Sequence, residues 1–531
     1  MISSTRRFRK LLVATCLCFA LFTLLSLWQP ASRRRLALFT GSGFRRSAEV
    51  RNRRLAVEAG FQHAWNGYSQ HCFGRDSLHP VTNACDDDFS GLGATAIDAL
   101  STAILMEKRD IVVQILEFIA GIEWTRLNRQ HQRIQVFEII IRHLGGMISG
   151  FDLLTGPFAH LNIDESLLNK LFTQMVALGD ILACAFDTGS RGVPRSWLDP
   201  ATCKTDDGHS NSVAGVGTII LEFARLSDLT DDDKYVTLAR RAEQYLIDVH
   251  ANQTIPGLLG SYVDIDTGAV IGTDGSWGAF ADSYYEYLLK AYVYDRDAYP
   301  DYLEAWQISA DSTIQHIASR PYGFPEWNLL PSWSGTNLHN RMESLSWFAG
   351  GNFILGGMVT NNKTLLNFGL SVADTAGAIY NMTATGLGPE FVEWEPECYS
   401  AEADCDPIKS IRLADTSYKS RPEVVETWYY AYRATRDPKY REWSWAAFEA
   451  MNKYCKTESG FSALSDVNAI DGGSKVDLQE SFVFAEVLKY VYLIFAEDDL
   501  PFQVQDSRGS LKNTWVFNTE AHPFQTKGWP V

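Results

Sequence analysis

The chain lacks the features that mark zinc proteins, nucleic-acid-binding proteins and strings of separate domains. Only nine of its 531 residues are cysteine, and none of their spacings resembles a zinc site. Positive charge is scarce, since 47 Lys and Arg face 64 Asp and Glu and leave a net charge of −17, which argues against nucleic acid as a partner. After about residue 55 no linker is long or biased enough to separate domains, and β-strand signals are few and short.

What the chain does have is enough apolar and aromatic residues for a large core. Its hydrophobic content is 46%, with 15 Trp and 22 Tyr. Aromatic rings can also stack on sugars, although a core position is the commoner use of any one of them. The length allows two to four ordinary domains or one large α/α barrel.

The N-terminus differs in kind from the rest. Residues 1–54 hold 12 Lys and Arg and one acidic residue, a net charge of +11, so residues 55–531 carry −17 − 11 = −28. An apolar run from Leu11 to Trp28 nearly spans a bilayer, which needs roughly 20 residues. We predict a type II signal anchor, with the body of the protein lumenal in the ER or Golgi; a cleaved signal peptide is the alternative. The cytosolic tail, the anchor and a basic stem would occupy residues 1–10, 11–28 and 29–55.

Cysteines and sequons fit a secretory-pathway protein. Two cysteines fall in the predicted anchor, and the odd count of seven beyond it leaves at least one free thiol. Cys72 with Cys85, and Cys398 with Cys405, are close enough in sequence for local disulfides. Asn-X-Thr triplets, each weak alone, begin at Asn252, Asn362 and Asn381.

Apolar residues recur at helical spacing along the body. The amphipathic stretches alternate with turns rich in Gly, Pro or Asp. They predict one domain of helical hairpins over residues 56–531. The predicted helices are 92–107, 110–121, 133–152, 164–186, 213–227, 233–250, 278–294, 300–318, 342–359, 363–380, 422–435, 438–454 and 479–496.

Several of these helices open with acids beside apolar or aromatic residues. An acid in the first turn is favoured by the helix dipole, so ordinary capping explains any single case. The number of cases, and the similarity of 282–290 to 480–489, favour helix ends that converge on one acidic pocket. Two carboxyl groups across a bond are what glycoside hydrolysis needs. The candidate acids are Glu138, Asp282, Glu423, Glu426, Glu486 and Glu520, with Glu222 and Glu390 behind them.

A metal would ease the repulsion among so many carboxylates. Ca²⁺ prefers oxygen ligands and tolerates bound waters. Thr519 offers a hydroxyl and a carbonyl oxygen in a polar tail that is poor in helix formers. An ordinary polar turn is the alternative explanation of this segment.

Motifs in a fixed order resemble glycoside hydrolase family 47, the class I α-1,2-mannosidases of the ER and Golgi. The resemblance extends from about residue 57 to 524. It rests on GATAIDAL (93–100), FEIIIRHLGG (137–146), ADSYYEYLLK (281–290), GLGPE (386–390), SRPEVVET (420–427), ESFVFAEVLKYVYLIF (480–495) and VFNTEAHP (516–523).

The resemblance implies an (α/α)7 barrel with a C-terminal hairpin plugging one end. It implies an inverting hydrolase that removes α-1,2-linked mannose from high-mannose N-glycans, with Ca²⁺ held on Thr519. Glu138 matches a proposed general acid, Asp282 a rival or partner for that role, and Glu423 the base that activates water.

The same resemblance places further residues around the sugar. Glu426, Glu486 and Glu520 would hold calcium-bound waters or line the pocket. Phe482 would stack under the sugar ring. The other residues that match sugar-site positions are Arg142, Glu222, Glu390 and Arg421.

Departures from the family pattern indicate a divergent, fungal-type member. A pocket histidine is replaced by Ser344, and both halves of a usual disulfide are replaced, by Trp347 and Ala376. Ser101 stands where an acid is usual, and Phe280 lies where subgroups with different branch preference differ. A second interpretation is therefore a protein similar to the ER degradation-enhancing mannosidase-like branch. Such a protein would recognise glycans with weak or no hydrolysis and would have an oxidoreductase partner.

Overall fold

Helices make up most of the larger of two units in the chain. The computed structural model describes residues 47–127, 132–189, 191–398, 406–506 and 512–527. Contacts divide the chain into Met1–Ala56 and Val57–Val531, and in the first unit residues 47–56 are helical. The predicted tail, the predicted anchor and most of the predicted stem lie outside the described residues, as does Cys405.

The larger unit has sixteen α-helical segments among its described residues. Some are extended by π-helical turns, at Ile139–Leu144, Thr313–Ile317, Met451–Cys455 and Val483–Val487. In chain order the helices are α1 (57–71), α2 (Ala94–Leu105), α3 (Arg109–Ala120), α4 (Val136–Glu138), α5 (Gly145–Thr155), α6 (Glu165–Ala183), α7 (Val213–Gly217), α8 (Ile220–Thr230), α9 (Lys234–His250), α10 (Asp282–Tyr294), α11 (Pro300–Ser312), α12 (Phe348–Val359), α13 (Lys363–Met382), α14 (Glu423–Thr435), α15 (Pro438–Ala450) and α16 (Leu488–Phe495).

An inner ring of helices forms the barrel wall. Along the described chain α2, α5, α8, α10, α12, α14 and α16 each contact the next, and the turn before α16 closes the ring on α2. Helices α2 and α16 are buried on every side, as expected for helices whose whole circumference is packed.

Outer helices cover this wall as hairpin partners. Helices α3, α6, α9, α11, α13 and α15 each pack on the inner helix before them, and α1 packs through Phe61 on Phe484, with ring centroids 5.5 Å apart. Outer helices are amphipathic: in α6 only Leu171, Met175, Leu178, Gly179 and Leu182 are buried. The prediction of an α/α barrel is confirmed.

Short antiparallel strands precede the inner helices. They form seven two- or three-stranded sheets in the described residues. The strands are β1 (Ser77–His79), β2 (Ala84–Asp86), β3 (Ile134–Gln135), β4 (Trp197–Asp199), β5 (Lys204–Thr205), β6 (Ser210–Ser212), β7 (Tyr262–Asp264), β8 (Val270–Ile271), β9 (Asp274–Gly275), β10 (Ser332–Ser334), β11 (Asn337–His339), β12 (Arg341–Glu343), β13 (Phe391–Trp394), β14 (Ile411–Asp415), β15 (Ala463–Leu464), β16 (Lys475–Val476), β17 (Trp515–Phe517) and β18 (Pro523–Gln525).

The last two strands form a hairpin that enters the barrel. Val516 of β17 pairs with Phe524 of β18, and the two strands contact α10 and α5. The turn between them is buried, with Asn518, Ala521 and His522 fully inaccessible. Inner helices therefore surround the tip of the hairpin.

Several helical predictions needed correction. Strands β3 and β12 occupy the starts of the predicted helices 133–152 and 342–359. Helix α1 was missed, because its two glycines are poor helix formers; a Cβ on Gly67 would lie 1.8 Å from the carbonyl oxygen of Ser459, so close packing requires glycine there. The predicted helix 213–227 is split into α7 and α8. Glu243 accepts hydrogen bonds from the backbone nitrogens of Ile219 and Ile220, at 3.2 and 3.0 Å, and so caps the start of α8.

The cysteines follow the expected pattern in part. Cys72 and Cys85 form the predicted local disulfide. A second bridge joins Cys184 to Cys203, a pair that the sequence analysis did not predict. Cys455 is a buried free thiol, as the odd number of cysteines requires.

One helical segment in the described residues, Glu165–Phe186, is long and apolar enough to cross a membrane by length and composition. It consists of α6 and the short 3₁₀ turn that follows. Because α6 packs on α3, α5 and α8, we interpret the segment as an outer helix of the barrel.

Candidate active site

A cavity of about 340 Å³ lies inside the barrel, above the hairpin tip. Most of the residues that the sequence singled out line it, although they come from segments up to 382 positions apart. They are Glu138, Arg142, Asp282, Arg421, Glu423, Glu426, Phe482, Glu486, Thr519 and Glu520. The structure therefore brings ten of the twelve candidates to one place.

Several of the acids that line the cavity lie at the ends of helices, as the sequence pattern indicated. Asp282 is the first residue of α10, and Glu423 is the first residue of α14. Glu138 ends the single turn of α4 and is followed by a π-helical segment. Glu486 lies in another π-helical turn, before α16. Such turns recur at functional sites because they change the direction of side chains along a helix.

Arg142 joins the barrel wall to the hairpin. Its Nε donates to Glu138 Oε2 at 2.8 Å, and its Nη1 donates to Glu520 Oε2 at 2.7 Å. Asp98 Oδ2 is 3.3 Å from the same Nη1. Burial alone would lower the pKa of Arg142, but the charges of Glu520, Glu138 and Asp98 raise it well above its usual value. The guanidinium is therefore permanently charged, and it fixes both carboxylates.

Asp282 is a buried carboxyl that retains its proton unusually well. Burial, with the negative charges of Glu343 and Glu286, raises its pKa to about 7. The backbone nitrogen of Ser283 donates to its Oδ1 at 2.8 Å, which opposes the rise only in part. Near neutral pH this group can hold and release a proton.

Glu423 presents a carboxylate oxygen that is without a protein partner. The residue is 8% exposed, and its Oε2 makes no hydrogen bond. Burial raises its pKa well above the usual value, and the charge of Arg421 opposes that shift. A buried acceptor without a partner costs about 1–3 kcal/mol, so this oxygen is suited to binding a water or a sugar hydroxyl.

Glu390 is part of the site only indirectly, since it is absent from the cavity lining. Its Oε2 accepts a 2.9 Å hydrogen bond from Arg421 Nε. Arg421 does line the cavity. Glu390 therefore orients the guanidinium that lies beside Glu423.

Glu222 lies beneath Thr519, likewise behind the cavity lining. Its Oε1 accepts from Tyr287 Oη at 2.7 Å and from Asn518 Nδ2 at 2.8 Å. Tyr287 Oη accepts from the backbone nitrogen of Thr519 at 3.3 Å. Burial raises the pKa of Glu222 to about 8. This network supports the hairpin tip from below.

Acids gather around Thr519. Burial raises the pKa of Glu426 and of Glu520 to about 8, and that of Glu486 well above its usual value. Glu286 lines the same cavity. Across the described ranges no group of three or more His, Cys, Asp or Glu is placed to hold a metal by side chains alone. Any cation here would therefore depend on Thr519 and on waters or sugar hydroxyls.

Some residues of the site are not among the candidates that the sequence predicted. Glu286 lies four positions after Asp282, hence on the same helix face, a signal that could have found it. Asp98, in the motif 93–100, accepts from Arg142 and lies 3.2 Å from His522 Nε2. These contacts join positions far apart in the chain, so no local pattern indicates them.

Positions that depart from the family pattern are accommodated in different ways. Trp347 and Ala376 are both buried in the packed core, with 2% and 0% exposure. Ser101 Oγ lies 2.9 Å from His522 Nδ1. Phe280 is 53% exposed at the cavity rim, with a left-handed backbone (φ 77°) that is strained for a bulky residue.

An α/α barrel with acids gathered in a central cavity suits a carbohydrate-cleaving enzyme. Residues 60–526 match the family described as glycosyl hydrolase family 47. The chain belongs to this family and is a glycosidase, as the sequence motifs predicted.

Several similar proteins come from fungi. A chain of Aspergillus niger named "Probable mannosyl-oligosaccharide alpha-1,2-mannosidase 1B" is 45% identical over 480 residues, covering 90% of this chain and 92% of its own length. A mannosyl-oligosaccharide alpha-1,2-mannosidase of Penicillium citrinum is 44% identical over 471 residues, covering 88% and 91%. The solved structure of the alpha-1,2-mannosidase from Trichoderma reesei superposes with a TM-score of 0.85 at 40% identity, covering 90% of this chain and 99% of that chain.

Proposed function

We propose that this chain is an inverting, Ca²⁺-dependent α-1,2-mannosidase that trims high-mannose N-glycans. One observation carries the proposal: Glu138, Asp282, Glu423 and Thr519 line the same buried cavity. The mannosyl-oligosaccharide α-1,2-mannosidases that cover nine-tenths of the chain support the choice of substrate.

Asp282 is the better proton donor of the two candidates. A general acid must hold a proton near the working pH, and the pKa of Asp282 is raised to about 7. Glu138 instead pairs with the guanidinium of Arg142 at 2.8 Å. In this assignment Asp282 protonates the leaving oxygen, and Glu138 holds a water or hydroxyl in place.

Glu423 is the proposed base. Its free Oε2 can accept a proton from a water that attacks the anomeric carbon. In an inverting enzyme acid and base lie about 6.5–9.5 Å apart, so that water fits between the base and the sugar. Arg421, held by Glu390 at 2.9 Å, opposes the rise that burial imposes on the pKa of Glu423.

Thr519 fits a Ca²⁺ site, and Glu286, Glu426, Glu486 and Glu520, which line the same cavity, would hold the ion's waters. The supporting observation is the cluster of buried carboxyls with raised pKa values, which a cation would stabilise in their charged form. Bound Ca²⁺ would supply positive charge and oxygen coordination for sugar hydroxyls. Phe482, at the cavity wall, provides a flat surface for the sugar ring.

The cellular setting stays a prediction. We propose a type II protein of the ER or Golgi membrane, anchored by residues 11–28 and carrying residues 56–531 in the lumen, where N-glycans are trimmed. Nucleic acid is not an expected partner of a body with a charge of −28, by the arithmetic −17 − 11.

The missing disulfide favours the alternative of a glycan-recognition protein with weak hydrolysis and an oxidoreductase partner. Two observations count against that alternative. Trp347 is buried where the bridge is lost, and all three proposed catalytic carboxyls are present in the cavity. The hydrolase is therefore the function we favour.

The test is release of mannose from a high-mannose glycan, with the anomer of the first product read by NMR. We expect β-mannose, loss of activity in EDTA and recovery with Ca²⁺. Glu423→Gln should lower kcat by about 10²–10⁴-fold, while the control Glu458→Gln, at an exposed position, should not. Release that persists in both EDTA and Glu423→Gln would refute the mechanism. A folded protein that binds glycan without cleaving it would establish the alternative.

A further inference from the structure

Two lysines are buried beside the hairpin tip, where lysine is rarely found without a specific role. Lys290 of α10 is 2% exposed and Lys489 of α16 is 0% exposed. Lys290 Nζ donates to Glu286 and lies 3.4 Å from the carbonyl oxygen of Asn518. Lys489 Nζ donates to the carbonyl oxygen of Ala521 at 2.6 Å.

Each lysine follows a cavity glutamate on the same helix face. Glu286 precedes Lys290 by four residues, and Glu486 precedes Lys489 by three. Both glutamates line the cavity, whereas both lysines reach the hairpin backbone. This arrangement explains the similarity of 282–290 and 480–489: two wall helices each direct an acid into the cavity and a lysine amine to the tip.

The two contacted carbonyls are the ends of one tight turn. The backbone nitrogen of Ala521 donates to the carbonyl oxygen of Asn518 at 3.1 Å, so Thr519 and Glu520 are the central residues of the turn. Ala521 has a left-handed backbone, φ 54°, which is costly for a residue other than glycine. A strained turn keeps its shape only when its surroundings hold it.

We propose that Lys290 and Lys489 are positioning residues that hold the turn so that Thr519 presents its oxygens to Ca²⁺. The proposal rests on the proposed function. Lys290 also brings positive charge to the acids, since its Nζ forms an ion pair with Glu286. Lys489 acts through its hydrogen bond to Ala521, the shorter of the two lysine contacts with the turn.

The experiment uses the purified protein stripped with EDTA. Ca²⁺ dissociation constants are measured by calorimetry for wild type, Lys290→Met and Lys489→Met, and Tm is recorded with and without Ca²⁺. Met keeps the unbranched side chain up to its fourth heavy atom but removes the donor. The matched control is Lys234→Met, since Lys234 is 46% exposed in its side chain and pairs with Asp180 away from the cavity.

We expect each buried-lysine variant to raise the dissociation constant for Ca²⁺ at least about tenfold, with a smaller rise of Tm on adding Ca²⁺. Lys234→Met should leave the dissociation constant and the Ca²⁺-induced rise of Tm unchanged.

Unchanged Ca²⁺ affinity together with a lower Tm would overturn the inference, because it would make the lysines structural supports only. If Lys489→Met does not fold, Lys290→Met decides the matter. If neither folds, Lys290→Gln and Lys489→Gln, whose side chains are shorter and uncharged, are compared with wild type in the same way, and an affinity equal to that of wild type overturns the inference. Wild-type protein that binds no Ca²⁺ would refute the proposed function itself, a different outcome.

Discussion

The Nε atom of Arg142 donates a 2.8 Å hydrogen bond to Oε2 of Glu138, four residues earlier in the chain. The stretch between them is π-helical. The other side of the same guanidinium contacts Glu520, 378 positions away. One side chain therefore fixes a wall carboxylate and a hairpin carboxylate in a single arrangement.

Removing Arg142 should destabilise the protein. Arg142→Met leaves Glu138, Glu520 and Asp98 without their cation, and breaking such a buried pair costs about 3–5 kcal/mol of the free energy of unfolding. Urea unfolding followed by circular dichroism measures this. Arg126→Met is the control, because Arg126 is 81% exposed in a 3.6 Å pair with Glu123, and its loss should change that free energy by less than about 1 kcal/mol. Equal stability of the two variants would contradict this prediction.

Asp282→Asn should slow hydrolysis only of substrates whose leaving group must be protonated. On a mannosyl disaccharide we expect kcat/KM to fall by about 10²–10⁴-fold. On α-mannosyl fluoride, whose leaving group needs no protonation, the loss should be far smaller. Glu423→Gln should lower the rate on both substrates, because water activation is needed in each case. If Glu138→Gln, and not Asp282→Asn, retains activity on the fluoride while losing activity on the disaccharide, the proton donor is Glu138.

The pH profile should report the proton on Asp282. Because its pKa is raised to about 7, the acid form is lost as pH rises through that value, and kcat/KM should fall on this limb. The negative charge of Glu343 contributes to the rise, so Glu343→Gln should move the limb to lower pH. Glu458→Gln, remote and exposed, should leave it in place. If Glu343→Gln leaves the pH of this fall in kcat/KM unchanged, the fall does not report the titration of Asp282.

Stability without Ca²⁺ should fall as pH rises. The pKa values of Glu222, Glu426 and Glu520 are raised to about 8 by burial. The folded protein keeps these protons where the unfolded chain, with pKa values of about 4, has lost them. The free energy of unfolding in EDTA should therefore decrease between about pH 4 and pH 8.

Calcium should reverse that trend, since a cation favours the ionised carboxyls. Thermal melts should show a larger rise of Tm on adding Ca²⁺ at pH 8 than at pH 5. Glu243 provides the control: its pKa is also raised to about 8 by burial, but it caps α8 and is absent from the cavity lining. Glu243→Gln should weaken the pH trend in EDTA and leave the response to Ca²⁺ intact. An equal response at both pH values would argue against a cation among these acids.

Much of the helical architecture could be predicted because its signals are local. Helices such as α9, predicted over 233–250 and found at Lys234–His250, follow from apolar spacing within a few turns. Helix α1 could not be predicted, because Gly67 is explained only by the backbone of Ser459 in a distant loop. The break before α8 depends in the same way on Glu243, which is more than twenty residues away.

The amino-acid sequence alone determined the helical class, the family and which acids lie at the starts of helices. Periodicity and motifs involve residues that are close together in the chain, so the sequence shows them directly. Tertiary structure alone decided which acids meet, which keep protons and what holds Thr519. Asp98 and His522 lie 3.2 Å apart across 424 positions, and a pKa depends on burial and charge at such distances in sequence. These properties arise only when the barrel closes around the hairpin.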